Sequence, residues 1–479
     1  MSPVPRRFRL LRLLRARATP LLSACGLCLA CSNSEPASPA ETRPATGDIL
    51  LISIDTLRSD HLGLYGYPRA TSPNIDHWFG DGAIFERAYA AESSTPPSVV
   101  SVLSGLLPQQ HRVRLYYQLL PQETRLVSEL LPPAYQTAAF VSNIVLTDEA
   151  LGAGARFDYF DDFVDERVAS YQQVVFERDA RKTTDAVLLW LREARDSSRP
   201  LFLWVHYNDP HGPYDPPASW AGSFSHSGQM FADERRIPPY QRLPGSRDAR
   251  DYIDRYDEEI AFMDEQVGRL LTAYAQTRDP DRALIIFTAD HGESLMERLF
   301  WFAHGFQVFE ELVRVPLMLR GAGVSPGRRQ GLVSGIDVVP TMLHFAGVSP
   351  PPELSGFELM DESSLPAGRV VFAEAGGKRD QWRAVIEARG KHVVRLERGT
   401  RAVLGRRFYD LRADPGEKEP QRGPRNAALE RLLALAASDP DPGGQPSAFE
   451  KGERLVAPKI SPRADAEALR QLRALGYVE

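Results

Sequence analysis

An apolar run of strand length at 283–288 ends directly before Asp290 and His291, and this junction constrains the fold more than any other feature. A second apolar run at 49–54 ends directly before Asp55, far upstream. Runs of this length predict buried strands, and the ligand-binding loops of an open α/β sheet converge outside the carboxyl ends of its strands. We therefore expect these side chains to meet at one edge of a sheet and to form part of a metal site.

From residue 48 onward, strand-length apolar runs alternate with helical patterns, which favours an α/β fold with a large mixed, mostly parallel sheet sandwiched by helices. The predicted strands are Ile49–Ile54, Thr137–Ser142, Leu201–His206, Ala283–Thr288 and Val315–Leu319. The predicted helices include Ser98–Leu107, Lys182–Ala194, Arg255–Ala275 and Asp337–Ala346. We expect this catalytic α/β domain to span residues 47–350, with a surface insertion at 215–250.

A Pro-rich segment at 349–352 marks a boundary, and residues 351–479 are expected to form a smaller C-terminal antiparallel α+β region. Short alternating runs predict its strands at Val370–Glu374, Trp382–Glu387, His392–Glu397 and Phe408–Leu411. Residues 420–462 are weakly patterned, and Ala464–Leu475 predicts a terminal helix.

The first 31 residues are typical of a lipoprotein-type signal segment rather than of a folded element. Six Arg precede an apolar run at 18–30, which is shorter than the roughly 20 residues that cross a bilayer. All Cys residues lie here, at 25, 28 and 31. Cys31 is the expected lipidation site and Cys25 the alternative; a plain secretory signal or an uncleaved tether are the other interpretations.

The polar, Pro-rich residues 32–46 predict a flexible linker. Together with the signal segment they predict an exported protein of the bacterial cell envelope, held by a lipid anchor at the membrane on the periplasmic face or at the cell surface. The formal net charge is −6 although the signal segment is basic, so the rest of the chain is acidic. This balance argues against nucleic acid as a partner.

The two strand ends supply the residue types of a divalent metal site. A carboxylate with an imidazole suits Zn or Mn, whereas Ca requires more oxygen ligands. Asp55 could instead cap the following turn, and Asp290 and His291 could instead open a capped helix.

Thr95 is the candidate nucleophile, in the segment Ser94-Thr95-Pro96-Pro97-Ser98. A hydroxyl followed by Pro is typical of a helix N-cap, and that is the simplest interpretation. A helix N-terminus also stabilises anions, and a metal ion on the Thr95 oxygen would lower its pKa and activate it for attack.

Three histidines and one amide complete the candidate site. His206 and His211 follow the predicted strand at 201–206, and His304 precedes a Gly. Each could hold an anionic oxygen or protonate a leaving group, although a structural His is the commoner case. Asn143, at the end of another predicted strand, is a neutral donor that could contact substrate, as could His304.

Longer motifs occur in the order typical of one protein family. They are 49–63, 95–105, 287–293, His304-Gly305 with 310–316, 336–341 and 408–417. Over residues 48–420 the chain resembles the sulfatase-like branch of the alkaline-phosphatase superfamily. The resemblance implies that family's α/β fold and a metal-dependent ester hydrolase or transferase.

The departures from the family pattern affect the chemistry. Sulfatases of this family carry a Cys or Ser, followed by X-Pro-X-Arg, that becomes formylglycine. Here Thr95 stands at that position and Val99 replaces the Arg, so no formylglycine is expected. The family's second acid at the first strand end is Thr56, and its active-site Lys residues have no counterpart, since Lys182 is the only Lys between 48 and 350.

The resemblance therefore implies the family's Thr-nucleophile members, which act on phosphoryl groups with one divalent metal ion. Carried over residue by residue, the ligands are Asp55, Thr95, Asp290 and His291, for Mn or Zn, with Ca or Mg as alternatives. Thr95 would attack phosphorus, and water or an alcohol would release the phospho-threonine. His206, His211 and His304 would steady the substrate oxygens or the leaving group.

The expected substrates are phosphate, phosphonate or sulfate esters of a small molecule, a glycan or a lipid headgroup. Two alternatives remain open from the sequence. One is a catalytically degenerate member of the family that serves as a binding lipoprotein, and the other is a sulfatase that uses Thr95 directly.

Overall fold

The computed structural model describes residues 47–164, 166–169, 174–376 and 380–439. The signal segment with Cys25 and Cys31, the linker at 32–46 and the terminal helix expected at 464–475 lie outside the described residues. Within the described part of the chain, no helix is both long and apolar enough to cross a membrane.

The described strands are β1 (Ile49–Ile54), β2 (Ala83–Tyr89), β3 (Gln136–Val141), β4 (Tyr159–Asp161), β5 (Glu166–Ala169), β6 (Val174–Glu177), β7 (Leu201–Tyr207), β8 (Leu284–Ala289), β9 (Arg314–Val315), β10 (Leu317–Gly321), β11 (Gly327–Ser334), β12 (Val371–Gly376), β13 (Asp380–Ile386), β14 (Lys391–Glu397) and β15 (Val403–Tyr409). The described α-helices are α1 (Pro73–Phe79), α2 (Thr95–Ser104), α3 (Pro108–His111), α4 (Val127–Leu130), α5 (Asp148–Leu151), α6 (Ala180–Glu193), α7 (Ala249–Thr277), α8 (Glu310–Val313), α9 (Val338–Phe345) and α10 (Ala427–Ser438).

A nine-stranded sheet forms the centre of the molecule, in the order β11-β2-β10-β8-β1-β7-β3-β4 with β9 paired to β2. β1 lies parallel to β7 and β8, and β3 lies parallel to β7 and β4. β10 is antiparallel to both β2 and β8. The prediction of a large mixed, mostly parallel sheet is therefore confirmed.

The parallel register of the central strands positions the site. β1, β7 and β8 are buried along their whole length, as their continuous apolar sequences require. Ile54 lies level with Tyr207 of β7 and with Ala289 of β8. The ladder continues one step further, because Asp55 N donates to Tyr207 O at 2.9 Å and Asp290 N donates to Ile54 O at 3.1 Å. Both acids therefore leave the sheet at the same edge.

The predicted strands in this sheet are observed within one or two residues, except that the run Val315–Leu319 is divided. Pro316 separates β9 from β10 because proline has no N–H to donate to the ladder. The prediction missed β11, which is an edge strand of the sheet, and β2, which lies next to it. Both strands carry charged residues among the apolar ones. The insertion at 215–250 contains only short 3-10 turns and irregular chain before α7 begins.

The smaller sheet is antiparallel in the order β12-β13-β14-β15, as predicted for the region after residue 350. The prediction of weak patterning over 420–462 was wrong in its first part, because α10 forms there. Leu429 and Leu432 of α10 pack with Val385 and Val394 of the sheet. Its apolar residues, spaced three to four apart, form a single stripe.

Candidate active site

Two acids and an imidazole meet where β1 and β8 end. Asp55, Asp290 and His291 each offer one ligand atom, and these atoms lie within 4.8 Å of one another. All three side chains are buried, with exposed fractions of 0–1%. The sequence-based expectation that these residues converge is correct, and it follows directly from the register of the two strands.

Thr95 joins this cluster from the first turn of α2. Its hydroxyl lies 3.4 Å from Asp55 Oδ2 and 3.3 Å from His291 Nε2. The helix is fixed in place because Ser98 Oγ donates to the carbonyl oxygen of Asp290 at 2.5 Å. Proline in the first turn costs no hydrogen bond and pre-sets the helical φ, so the sequence fixes where α2 begins.

Ser94, the neighbouring hydroxyl, points elsewhere. As the N-cap residue of α2 it makes no side-chain cap bond, and its hydroxyl and backbone N–H instead bond to Glu92 Oε2. Of the adjacent hydroxyls of Ser94 and Thr95, only that of Thr95 contacts the side chains of the strand-end cluster. Glu92 was not among the predicted residues; burial, followed by the proximity of Glu374, raises its pKa to about 8.

Asp290 carries an unsatisfied oxygen into the cluster. Its Oδ1 accepts hydrogen bonds from His291 N at 2.7 Å and Thr56 N at 3.2 Å, whereas its buried Oδ2 has no hydrogen-bond partner. Burial and the neighbouring Asp55 raise the pKa of Asp290 well above its ordinary value. A buried oxygen without a partner is costly, and a cation would remove that cost.

Asp55 experiences the opposite balance. Burial would raise the pKa of Asp55, but the imidazoles around it, first His211 and then His206, outweigh burial and hold that pKa below its ordinary range. The pKa values of the two carboxyls are therefore separated, and Asp55 ionises at a lower pH than Asp290.

His291 is oriented as a ligand. Its Nδ1 lies 2.9 Å from the carbonyl oxygen of Gly292, and a carbonyl can only accept, so Nδ1 carries the proton. The lone pair of Nε2 then faces Thr95 and Asp290. Burial, with the nearby His304, lowers the pKa of His291 to about 3, which keeps the ring neutral. A neutral imidazole fixed by a carbonyl is the usual form of a metal-bound histidine.

These four side chains fit one divalent cation. Two carboxylates, a neutral imidazole and a hydroxyl provide mixed oxygen and nitrogen ligands, and an unpartnered oxygen of Asp290 already faces the cluster. Such a set suits Mn or Zn, and the donors alone do not select between them.

Asn143 and His206 both contact Oδ2 of Asp55. Asn143 Nδ2 donates to Asp55 Oδ2 at 2.6 Å, so its donor is directed at a candidate ligand; a direct contact with substrate stays a prediction. His206 Nε2 lies 3.5 Å from the same oxygen and His206 is fully buried. Ser53 Oγ receives a hydrogen bond from Trp204 and contacts His206 Nδ1 at 2.9 Å, which fixes the ring. His206 is thus placed to orient Asp55 rather than to touch substrate.

His304 and His211 line the opposite wall. The His304 ring lies 4.6 Å from that of His291 and 5.1 Å from that of His211, centroid to centroid. Glu293 Oε1 lies 3.2 Å from His304 Nδ1. Burial lowers the pKa of His304, but Glu293 outweighs this effect and the pKa is raised overall. The carboxylate of Glu293 therefore favours the protonated form of His304.

His211 differs from His304 in that, among the described residues, no hydrogen bond or ion pair joins its side chain to an acid. Its Nδ1 is buried without a hydrogen-bond partner, its ring stacks on Tyr240 at 6.2 Å, and burial lowers its pKa. The prediction named both histidines but missed Glu293, which creates the difference between them. Its position four residues after the end of β8 was the available signal.

Thr56, directly after Asp55, lies in the left-handed region with φ of 53°. That conformation is unfavourable for a β-branched residue, and such strain is concentrated at functional sites. The turn directs the Thr56 N–H at Asp290, so backbone rather than a second carboxylate occupies this side of the cluster.

The family model described as Sulfatase matches residues 48–348, which is more than half of the chain. The chain belongs to the sulfatase family. It is similar to the choline-sulfatase of Rhizobium meliloti, with 30% identity over 257 residues that cover 48% of either chain. It is also similar to an arylsulfatase of Clostridium perfringens, with 24% identity over 77% of this chain and 89% of the relative.

Among solved structures, the chain is similar in fold to the phosphonate monoester hydrolase of Agrobacterium radiobacter. The TM-score is 0.62 and the identity 21%, over 90% of this chain and 96% of that chain. The match to the choline-sulfatase spans about half of that relative's length. Family and fold are thus established, and the fold is one that hosts hydrolases of both sulfuryl and phosphoryl-type esters.

Proposed function

We propose that this member of the sulfatase family hydrolyses esters of a singly charged tetrahedral group, with Thr95 as nucleophile in place of formylglycine. The observation that carries the proposal is the position of the Thr95 hydroxyl between Asp55 and His291. We expect phosphonate monoesters and phosphodiesters to be the preferred substrates, and sulfate monoesters to be the second choice.

The charge of the site supports a singly charged group. Among the described residues, the hydrogen bonds and ion pairs recorded for Asp55, Asp290 and His291 involve no Lys or Arg. The nearby Arg58 is engaged by Asp60 and Glu297. The positive charges of one divalent ion and a protonated His304 would be largely cancelled by the nearby carboxylates. Little net positive charge would then remain for the substrate. A doubly charged phosphate monoester is therefore the least suitable substrate.

Asp55, Asp290, His291 and Thr95 would hold the ion. When bound, it would lower the pKa of the Thr95 hydroxyl and offset the negative charge of the ester oxygens. The protein's own contribution is to fix the ligands: Asn143 and His206 orient Asp55, and the carbonyl of Gly292 fixes His291.

In the first chemical step the Thr95 oxygen, having lost its proton to solvent, forms a bond to phosphorus. The bond from phosphorus to the leaving oxygen breaks with its electron pair on that oxygen. His304, protonated beside Glu293, donates the proton that makes the leaving group a neutral alcohol. Thr95 then carries the phosphoryl-type group.

In the second step water attacks phosphorus on the side that the alcohol has left. His304, now neutral, accepts a proton from the water as the new bond forms. The bond between phosphorus and the Thr95 oxygen breaks, and Thr95 and His304 return to their starting states. His211 lies beside His304 and faces the same space, where it could contact a non-bridging oxygen.

A second candidate function is hydrolysis of sulfate esters by the same residues, with sulfur in place of phosphorus. Its support is the family itself and the sulfatase names of the relatives. The absence of a residue that can form formylglycine at Thr95 places it second. The lipoprotein-type N-terminal segment supports the further proposal that the enzyme is lipid-anchored in the cell envelope of a bacterium.

The test compares the purified protein with Thr95→Ala and with Ser94→Ala as the matched neighbour. Release of nitrophenol is measured from a phosphonate monoester, a phosphodiester, a phosphate monoester and a sulfate ester, with added Mn or Zn. We expect turnover of the first two that requires the metal ion and Thr95 but not Ser94. Turnover that persists in Thr95→Ala would refute the assignment of the nucleophile.

If neither phosphoryl nor sulfate esters are turned over, metal content separates the remaining alternatives. A stoichiometric ion would indicate an enzyme with a narrow substrate requirement. A protein that binds no ion would indicate the degenerate binding lipoprotein.

A further inference from the structure

An exposed apolar surface lies beside the site and takes no part in the chemistry above. Among the described residues eight large hydrophobic side chains are exposed, and three of them fall in one short loop. They are Leu299, Phe300 and Phe306, with exposed fractions of 63%, 49% and 48%, and we call them the apolar rim. The rings of Phe300 and Phe306 lie 5.7 Å apart. Clustered exposed apolar side chains, unlike scattered ones, mark binding surfaces.

The loop of the apolar rim is anchored on its inner side. Ser294 and Ala303 exchange backbone hydrogen bonds of 3.0 and 3.3 Å, which close the part of the loop that precedes His304 and Phe306. Phe302 is fully buried and stacks on Tyr252 with centroids 4.5 Å apart. The loop thus has buried apolar anchors of its own, and the apolar rim is not needed to hold it in place.

The same loop carries His304 into the site. Gly305, with φ of 82°, turns the chain between His304 and Phe306. A Cβ at Gly305 would lie 3.5 Å from Ser94 Cβ and 4.0 Å from the Tyr116 hydroxyl. The chain therefore runs from His304 in the site, through Gly305 beside Ser94 and Tyr116, directly to Phe306 of the apolar rim.

The cations near this loop are already engaged. Arg298 pairs with Glu311 at 2.6 Å, and its guanidinium lies 3.8 Å from the centre of the Phe309 ring. Arg236 lies over the ring of Trp301 at 5.2 Å. A sulfated or phosphorylated sugar would need free cations and hydrogen-bond donors here, whereas the surface offers hydrocarbon.

The geometry points to an apolar subsite: the apolar rim binds the hydrocarbon portion, aryl or alkyl, of the ester whose tetrahedral group is held by Thr95 and His304. This inference rests on the proposed function and specifies its substrate class as amphiphilic esters. Because the apolar rim consists of three side chains of one loop, we assign it to the single hydrocarbon group of a soluble aryl or alkyl ester, and a lipid in a bilayer is the other outcome of the test.

Alkanesulfonates test the subsite without turnover, because they carry a singly charged tetrahedral head and cannot be hydrolysed. Binding of methane-, butane-, hexane- and octanesulfonate to the metal-loaded full chain is measured by calorimetry. Full burial of a methylene strengthens binding up to about four-fold, so a half-exposed rim is expected to give about two-fold per methylene.

The test variant is Leu299→Ser/Phe300→Ser/Phe306→Ser, and the matched control is Val403→Ser/Leu404→Ser on β15, which removes exposed apolar area elsewhere. We expect the dependence on chain length to disappear in the test variant and to persist in the control. If the triple variant fails to unfold cooperatively, Phe306→Ser alone replaces it. A wild-type affinity that does not rise with chain length, or a rise that survives in the rim variant, overturns the subsite.

The two sources of hydrocarbon are separated by a second arm with phosphatidylglycerol vesicles. We expect a rim effect confined to the soluble alkanesulfonates; vesicle binding that is lost in the rim variant would overturn the soluble ester in favour of a bilayer lipid. Failure of the proposed function is read independently, from metal- and Thr95-dependent hydrolysis of a methyl phosphonate monoester, whose methyl group is too short to reach the apolar rim.

Discussion

Two clusters of buried acids in this protein are treated in opposite ways. At the junction with the smaller sheet, Glu374 and Asp439 are paired with arginines: Arg114 reaches them at 2.6 and 2.8 Å, and Arg383 also bonds to Asp439. At the strand ends, Asp55 and Asp290 are fully buried, but among the described residues no Arg or Lys is recorded against either, and Asp290 Oδ2 has no hydrogen-bond partner.

The difference indicates what each cluster is for. A structural acid buried in a protein interior is neutralised by a fixed cation, because an unpaired buried charge costs several kcal/mol. In the protein without metal, the acids at the strand ends lower the stability of the folded state by that cost. An exchangeable cation bound between them would offset it. The contrast predicts opposite responses to mutation in the two clusters.

The largest effect is expected from Asp290→Asn. Loss of a ligand carboxylate removes the ion, and we expect activity to fall by about a thousand-fold or more, the size seen when charge stabilisation at the reacting group is removed. Metal content by plasma mass spectrometry should fall with activity. Retention of both would contradict the assignment of Asp290 as a ligand.

The next effect concerns stability rather than activity. Arg383→Ala leaves buried acids without one of their cations and is expected to lower the free energy of unfolding by about 3–5 kcal/mol. The control is Arg395→Ala on β14, an exposed pair with Asp380, which should cost about 0.2–1 kcal/mol. Both are measured by denaturant unfolding. Activity per folded molecule should be unchanged in either variant.

The contrast is sharpened by Asp290→Asn in the absence of metal. Removing a buried, unpaired charge is expected to stabilise the metal-free protein by about 1–2 kcal/mol, since the desolvated carboxylate is replaced by a neutral amide. In the presence of the ion the order should reverse, because only the wild type gains binding energy. A variant that is less stable in both conditions would show that Asp290 has a structural role like that of Asp439.

The smallest effect is a shift of a pH profile. The raised pKa of His304 means that the donor is protonated at low pH and that activity declines as pH rises through this pKa. The associated stabilisation has the same sign: it is present below the unfolded pKa of His and is lost as pH rises through the folded value. Glu293→Gln should move the falling limb of kcat to lower pH by about one unit. An unchanged limb would exclude His304 as the proton donor.

The sequence was sufficient for the inner half of this site and insufficient for the outer half. Asp55, Asp290 and His291 directly follow apolar strands, so the register of a parallel sheet brings them together without further information. Thr95 was found because its segment resembles the family's nucleophile motif, whereas the Pro-marked helix start alone favoured a cap. The outer residues lie in loops, where no periodic pattern fixes their position.

The same distinction explains the particular errors. Glu92 and Glu293 were missed because an acid in a loop reads as a solvated residue until the fold buries it. The role of His206 could not be separated from that of His304, because only the structure shows the first behind Asp55 and the second beside Glu293. Helix α10 was missed because its stretch of small and charged residues shows its apolar stripe clearly only against the sheet.

The most direct test of the central claim is to find the residue that carries the reaction intermediate. The metal-loaded protein is mixed with a phosphonate monoester, quenched in acid during turnover and digested, and the peptide containing Ser94 and Thr95 is sequenced by mass spectrometry. We predict a phosphonyl adduct on Thr95 that disappears in Asp290→Asn. An adduct on Ser94 would contradict this assignment, as would turnover without any adduct on this peptide in the quenched sample.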